Sequence, residues 1–188
     1  MMNCRTHFSI LPAARRLVLA GWLIVLVGCN AQASQCKQFA TITQQSQSTR
    51  EGFDSEIESA QLQASGAQNL DQLKVAAQEY TGAVSKVTGQ LDTMARSFED
   101  LTLADEQLDE YRDRYIVFLN ESKTALETAS GAMQMVIDAE TEADFRDSFG
   151  TFTAQGDRAY NDLQALDAEE DDILGQFNAY CAGELDKI

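Results

Sequence analysis

The side chains able to do chemistry in this sequence are few. Four cysteines (Cys4, Cys29, Cys36 and Cys181) and a single histidine, His7, are the soft or basic ligands and nucleophiles available. Metal sites inside helical proteins are commonly built from inward Glu-x-x-His pairs. With its one histidine at position 7, the chain lacks that set. The run Asp167-Ala168-Glu169-Glu170-Asp171-Asp172 is acidic enough to attract a divalent cation. It has neither the alternating oxygen ligands nor the turn glycine of a calcium loop, and reads as a solvated acidic face. Ser122 has no base to activate it, and Glu170 has no histidine or second acid with which to share a proton. Glu170 falls on a helical seam and is expected at the edge of the folded body. No phosphate-cradling glycine loop or nucleophile elbow occurs. The expectation is a non-enzyme with no catalytic residue, no cofactor and no metal ligand set.

Cys29 carries a different chemistry. An apolar run from Leu17 to Gly28 follows Arg5, Arg15 and Arg16, in the basic, apolar, small-residue order of a secretory signal. Leu26-Val27-Gly28-Cys29 at its end is the lipobox pattern of bacterial lipoproteins. There the thiol receives a diacylglycerol and becomes the mature N-terminus. A transmembrane helix is the competing reading, but about 12 apolar residues fall short of the ~20 needed to span a bilayer. Residues 1–28 are therefore expected to be a lipoprotein signal peptide, and residues 29–35 the lipidated Cys29 and a short polar linker.

Loss of the signal removes Arg5, Arg15 and Arg16 with no acid, so the formal charge of −16 becomes −19. Such a surface repels nucleic acid and anionic headgroups. Cys4 leaves with the signal, which leaves Cys36 and Cys181 in a compartment where disulfides persist. A bridge between them is the simplest expectation; two independent thiols are the alternative.

The elements that must position these groups are helical. The single proline, Pro12, lies in the signal, so nothing interrupts a helix from Cys36 onward. Leu70, Leu73, Ala77, Tyr80, Val84, Val87, Leu91, Met94, Phe98 and Leu101 alternate by three and four, the seam of an amphipathic helix with Asn69 as its N-cap. A third segment repeats the seam from Leu108 through Tyr111, Tyr115, Phe118 and Ser122 to Val136, with Thr102 or Asp105 as its cap. A fourth runs from Phe145, Phe149 and Phe152 to Phe177 and Tyr180, with Thr141 and Asp144 resembling a capping box. The first segment, from Phe39 to Ala64, slips register near Gly52 and carries Gln, Ser and Thr over Thr41–Arg50 where the seam should be apolar. It reads as one helix with a soft middle. Turns near Ser65–Gln68, Thr102–Ala104 and Ala139–Thr141 make an all-α, antiparallel up-down-up-down four-helix bundle over residues 36–183, with 184–188 as a C-terminal tail. An even number of helices returns the chain to its starting end, which brings Cys36 and Cys181 together.

Tyr115-Ile116-Val117-Phe118-Leu119 is apolar throughout, and one helix cannot bury all five residues against one seam. Ile116 and Val117 are expected to point outward as a partner contact. Packing within the bundle is the alternative cover for them.

Ser34-Gln35-Cys36 after the lipobox, Leu101-Thr102-Leu103-Ala104-Asp105 with Leu108 and Tyr111, and Asn178-Ala179-Tyr180-Cys181 resemble a group of small cyanobacterial lipoproteins of uncharacterised function. The resemblance spans most of the mature chain and implies a helical, lipid-anchored protein without known catalytic residues. In plan the chain is also similar to the lipid-anchored four-helix extrinsic subunits of photosystem II. It is longer than those, lacks their prolines and matches no motif of theirs. The expected role is a lipid-anchored interaction or assembly module of the cell envelope, with a membrane and a protein as partners and no nucleic acid. A ligand- or metal-binding, sensor-like bundle whose polar first helix lines a site is the competing expectation. A spacer with no specific ligand is a third.

Overall fold

The computed structural model describes residues 25–185, which form four α-helices. These are α1 (Val25–Gly66), α2 (Leu70–Glu99), α3 (Glu106–Asp138) and α4 (Glu142–Leu185). Residues 1–24, which hold most of the expected signal peptide, and 186–188 of the expected tail lie outside the described residues. Consecutive helices pack side by side in the order α1, α2, α3, α4, and α4 returns beside α1. The fold is an all-α, up-down-up-down four-helix bundle. Among the described residues no helix is long and apolar enough to cross a membrane.

Local chemistry sets the helix starts. The Asn69 side chain accepts from the Gln72 backbone N–H at 3.0 Å, satisfying one of the free donors of α2. Asp105 rather than Thr102 caps α3, with one carboxylate oxygen accepting from the N–H groups of Gln107 and Leu108, each at 3.1 Å. At α4 the Thr141 N–H donates to Asp144 at 2.8 Å while the Asp144 N–H donates back to the Thr141 hydroxyl at 3.2 Å. The shorter Asp thus completes a capping box usually made by Glu.

The core follows the seams. Each helix contributes one ring to a buried aromatic layer: Phe39, Phe98, Tyr115 and Phe177. Phe39 stacks on Phe177 with ring centroids 4.3 Å apart and meets Phe98 edge-on at 4.9 Å. Such pairs add about 0.5–1.5 kcal/mol each beyond area burial. Beside this layer Cys36 and Cys181 form a disulfide with Cα atoms 6.0 Å apart. The bridge expected from topology is present.

Three segments are described by the structure more finely than the pattern foretold. Residues 30–35, expected as a short polar linker, are helical, because α1 continues without a break from Val25 through Cys29 into the core. Nothing between Asn30 and Gln35 breaks a helix, and Ala33 already packs inside. The first segment is one helix, as expected, and Ser46 and Arg50 in its polar middle have partners described below. The start of α4 is not closed over as the seam implied: Phe145, Phe149 and Phe152 pack on one another, and Phe149 remains half-exposed.

Because 145 residues separate the bridged cysteines, the link restricts almost the whole folded chain. The chain-entropy account gives about 5 kcal/mol as an upper figure for such a loop. Reduction should lower the melting temperature by roughly 10–20 °C, while far-UV circular dichroism at 25 °C keeps its helical intensity. Loss of helix on reduction would show that the seams depend on the bridge.

Candidate functional site

The three short motifs noted above converge on one end of the bundle. The Gln35 side-chain oxygen accepts from the backbone N–H groups of Ala104 and Asp105 at 3.0 and 3.3 Å. The Tyr180 hydroxyl donates to the Asp105 carboxylate at 2.9–3.0 Å. The disulfide joins the neighbours of these residues, Cys36 and Cys181. α1 and α4 are thereby both stitched to the α2–α3 turn. These contacts make a clasp and offer no reactive group.

A second polar cluster lies about three turns further along. Glu170, expected at the bundle's edge, is 6% exposed. Its carboxylate accepts from the Tyr115 hydroxyl at 2.6 Å, from Ser46 at 3.4 Å, and from the Arg50 guanidinium. Arg50 also reaches Asp167 at 3.0 Å. A buried carboxylate without partners is costly, and three donors on two helices supply what water would have given. Burial first, and then the charge of Glu170, push the Tyr115 hydroxyl far above its ordinary range. Arg50 stays protonated, held up by Glu170 and Asp167 against its own partial burial.

The acidic run is dispersed by the helical turn. Asp167 and Glu170 face Arg50 on α1, whereas Glu169 and Asp172 bind Arg114 on α3 at 2.7 and 2.8 Å. The Arg114 hydrogen bond holds Asp172 below the usual carboxylate range. Among the described residues no three His, Cys, Asp or Glu side chains converge as metal ligands would. The run serves two inter-helix ties.

Beyond Arg50 the seam between α1 and α4 opens. It is the least closed of the four seams between neighbouring helices. The opening is a groove of about 610 Å³. Phe53 and Ile57 of α1 and Leu163 of α4 form its walls; Leu91 of α2 and Phe118 of α3 form its floor. Ser122, buried on the α3 seam, lines the same floor.

The expected partner residues separate. Val117 is 54% exposed, over a depression of about 680 Å³ between α3 and α4. Ile116, expected outward beside it, is instead half-buried and packs against the core. The α3 stripe is wider than one seam because α2 and α4 both lie against that helix, so Ile116 falls inside its flank. The backbone of Cys29 lies in α1, two helical turns before Cys36.

Ser46, Arg50 and Tyr115 were missed as partners of Glu170. The signal was the matched level of two seam defects. Ser46 lies 10 residues after Cys36, and Glu170 lies 11 before Cys181. In antiparallel helices joined at those cysteines, offsets that differ by one residue put the two at nearly the same height.

Tyr115→Phe removes a buried hydrogen bond to a charged group and should cost about 1.5–3 kcal/mol in urea unfolding at pH 7. The folded state requires the protonated phenol, so its contribution is complete below the ordinary tyrosine value near 10 and is lost as pH rises above that. Stability should therefore fall above pH 10, and Tyr115→Phe should flatten this alkaline loss; parallel pH profiles for the two proteins would refute the role given to Tyr115.

Comparison with models of protein families, with curated proteins and with solved structures found no match to this chain.

Proposed function

We propose that this chain is a non-enzymatic, lipid-anchored bundle of the cell envelope that presents a protein-contact surface close to a membrane. The observation that carries the reading is the continuity of α1 from Cys29 to the disulfide-clasped end. With 1.5 Å of rise per residue, the seven steps from Cys29 to Cys36 span roughly 10 Å. An acyl group on Cys29 would then hold the clasped end at the bilayer with little slack, whereas an extended linker would let the body wander. The acidic surface suits this placement, since it keeps the bundle from lying flat on anionic headgroups. The buried carboxylate Glu170 and the acidic run around it are engaged in ties to Arg50 and Arg114, which fits an interaction role better than catalysis. Val117, exposed between Arg114 and Glu121, is the centre of the contact surface on α3, with Ile116 supporting it from within.

A ligand-binding bundle is the second reading, and one observation favours it: α1 does bring polar residues, Ser46 and Arg50, to an open groove. A ligand that prefers the folded state would raise the melting temperature in proportion to its saturation. Titration with divalent metals and small solutes would reveal it.

Cys29→Ser should leave the precursor unlipidated and its N-terminus uncut, with the helical spectrum unchanged. Mass spectrometry of membrane-extracted protein reads the result directly: wild-type chain ending at Cys29 without acyl mass would overturn the anchor. Val117→Glu should leave the fold intact, because the side chain is half-exposed, and should reduce recovery of the partner from native membranes at least tenfold. Unchanged recovery from a folded variant would remove Val117 from the contact.

A further inference from the structure

The groove between α1 and α4 has features that the clasp and the Val117 face lack. It takes in Ser46 and Arg50 of the Glu170 cluster at one end and extends along α1 from Ser46 to Gln61. Fifteen residues of helix make that span roughly 22 Å long. Its walls and floor are apolar, with contributions from all four helices, and Tyr160 stands 60% exposed at the margin. An aromatic ring left at the edge of an apolar trough is the kind of side chain that anchors protein contacts.

The margins are acidic. Asp54 lines the groove on α1 and Asp167 lines it on α4. Arg50 is the lone cation among the groove's lining residues, and it is engaged by Glu170 and Asp167. A negatively charged headgroup entering the groove would meet the Asp54 carboxylate and an Arg50 whose guanidinium is already engaged by Asp167 and Glu170. A second copy would bring another chain of formal charge −16 against the first. A cationic partner meets neither penalty.

We propose that the α1–α4 groove is the docking site for a basic amphipathic helix of a partner protein, laid between the splayed helices as a fifth member of the bundle. Resting on the reading of the chain as an interaction module, this names the partner's chemistry. A helix of about four turns matches the length, and apolar residues at i, i+3, i+4 and i+7 would enter the trough while a lysine or arginine meets Asp54. A groove of about 610 Å³ accommodates the side chains of one helix face, with the helix backbone riding at the margin.

The test uses the full chain in phosphatidylcholine nanodiscs and a fluorescent 16-residue peptide of leucine and lysine, with leucines at helical seam spacing. A peptide of the same composition with the leucines scattered, and empty nanodiscs, are the controls. Anisotropy should show binding of the seam peptide at least tenfold tighter than of the scattered one. Ile57→Gln combined with Leu163→Gln should weaken it at least tenfold, whereas Val75→Gln, a half-exposed position on α2 away from the groove, should leave it unchanged. A benzophenone on the peptide's leucine face should cross-link to α1 and α4 between Arg50 and Gln61 and between Tyr160 and Asp167. Cross-linking of the unsubstituted chain answers the question even if the double variant unfolds. Equal binding of both peptides, or cross-links scattered over the acidic surface, would reduce the effect to bulk charge and overturn the site. Displacement of the peptide by palmitate at lower concentration than by unlabelled peptide would assign the groove to an acyl chain and likewise overturn it. The peptide needs no acyl group on Cys29, so failure of the anchor and failure of the groove give different results.

Discussion

A single buried carboxylate decides where the first and last helices stay together. Glu170 sits among aromatic and aliphatic side chains, where an unpaired charge is not tolerated, and only α1 and α3 can bring donors to it. Ser46 and Arg50 therefore occupy positions on α1 that its seam would otherwise give to apolar residues. That exchange pins α1 against α4 at one level and leaves less apolar surface to hold them together beyond it. On the clasped side of Glu170 the two helices share an aromatic layer and a disulfide; on the other they part around a groove. The bundle is tight at one end and open along one seam for this reason.

The clasp and the carboxylate act on different steps of the same problem. In a four-helix chain the first and last helices are neighbours in space but farthest apart in sequence, so their pairing carries the largest loop-closure cost. The disulfide removes that cost from the unfolded side of the balance. Hydrogen bonds from Gln35 and Tyr180 then fix the orientation of both helices on the α2–α3 turn. Asp105 serves two of these contacts at once, capping α3 through its carboxylate while accepting from Tyr180. The short motifs that look unrelated along the chain are thus one structural unit.

The charged residues obey the same economy. In a chain with far more acids than bases, four cations cross between helices: Arg50 to α4, Lys86 to α1, Arg114 to α4 and Lys123 to α2, whereas Arg112 and Arg158 pair within their own helices. Exposed pairs of this kind add little stability individually. The excess of acids over bases leaves the outer faces acidic, which limits association with like-charged molecules and with polyanions.

Much of this was legible without coordinates. Heptad spacing in α2 and α3, the absence of proline after position 12, and the caps Asn69, Asp105 and Thr141 specify helices through local physics: backbone hydrogen bonding, side-chain period and end capping depend only on near neighbours in sequence. Helix parity then placed Cys36 beside Cys181, because an even number of antiparallel passes closes on itself. The sequence alone left open whatever depends on how far each helix is rotated and where its neighbours lie. Glu170 is inside rather than at the edge, because donors 120 and 124 residues away reach it. Ile116 is half-buried and Val117 is exposed, because the helices on either side of α3 reach the flank that carries Ile116 and leave Val117 outside. Residues 30–35 are helical because a partner for Gln35 and a core for Ala33 exist once α2 and α3 are in place. A hydrophobic period records which face of a helix is buried on average; burial at a single residue is decided by contacts between residues distant in sequence, which a local pattern does not contain.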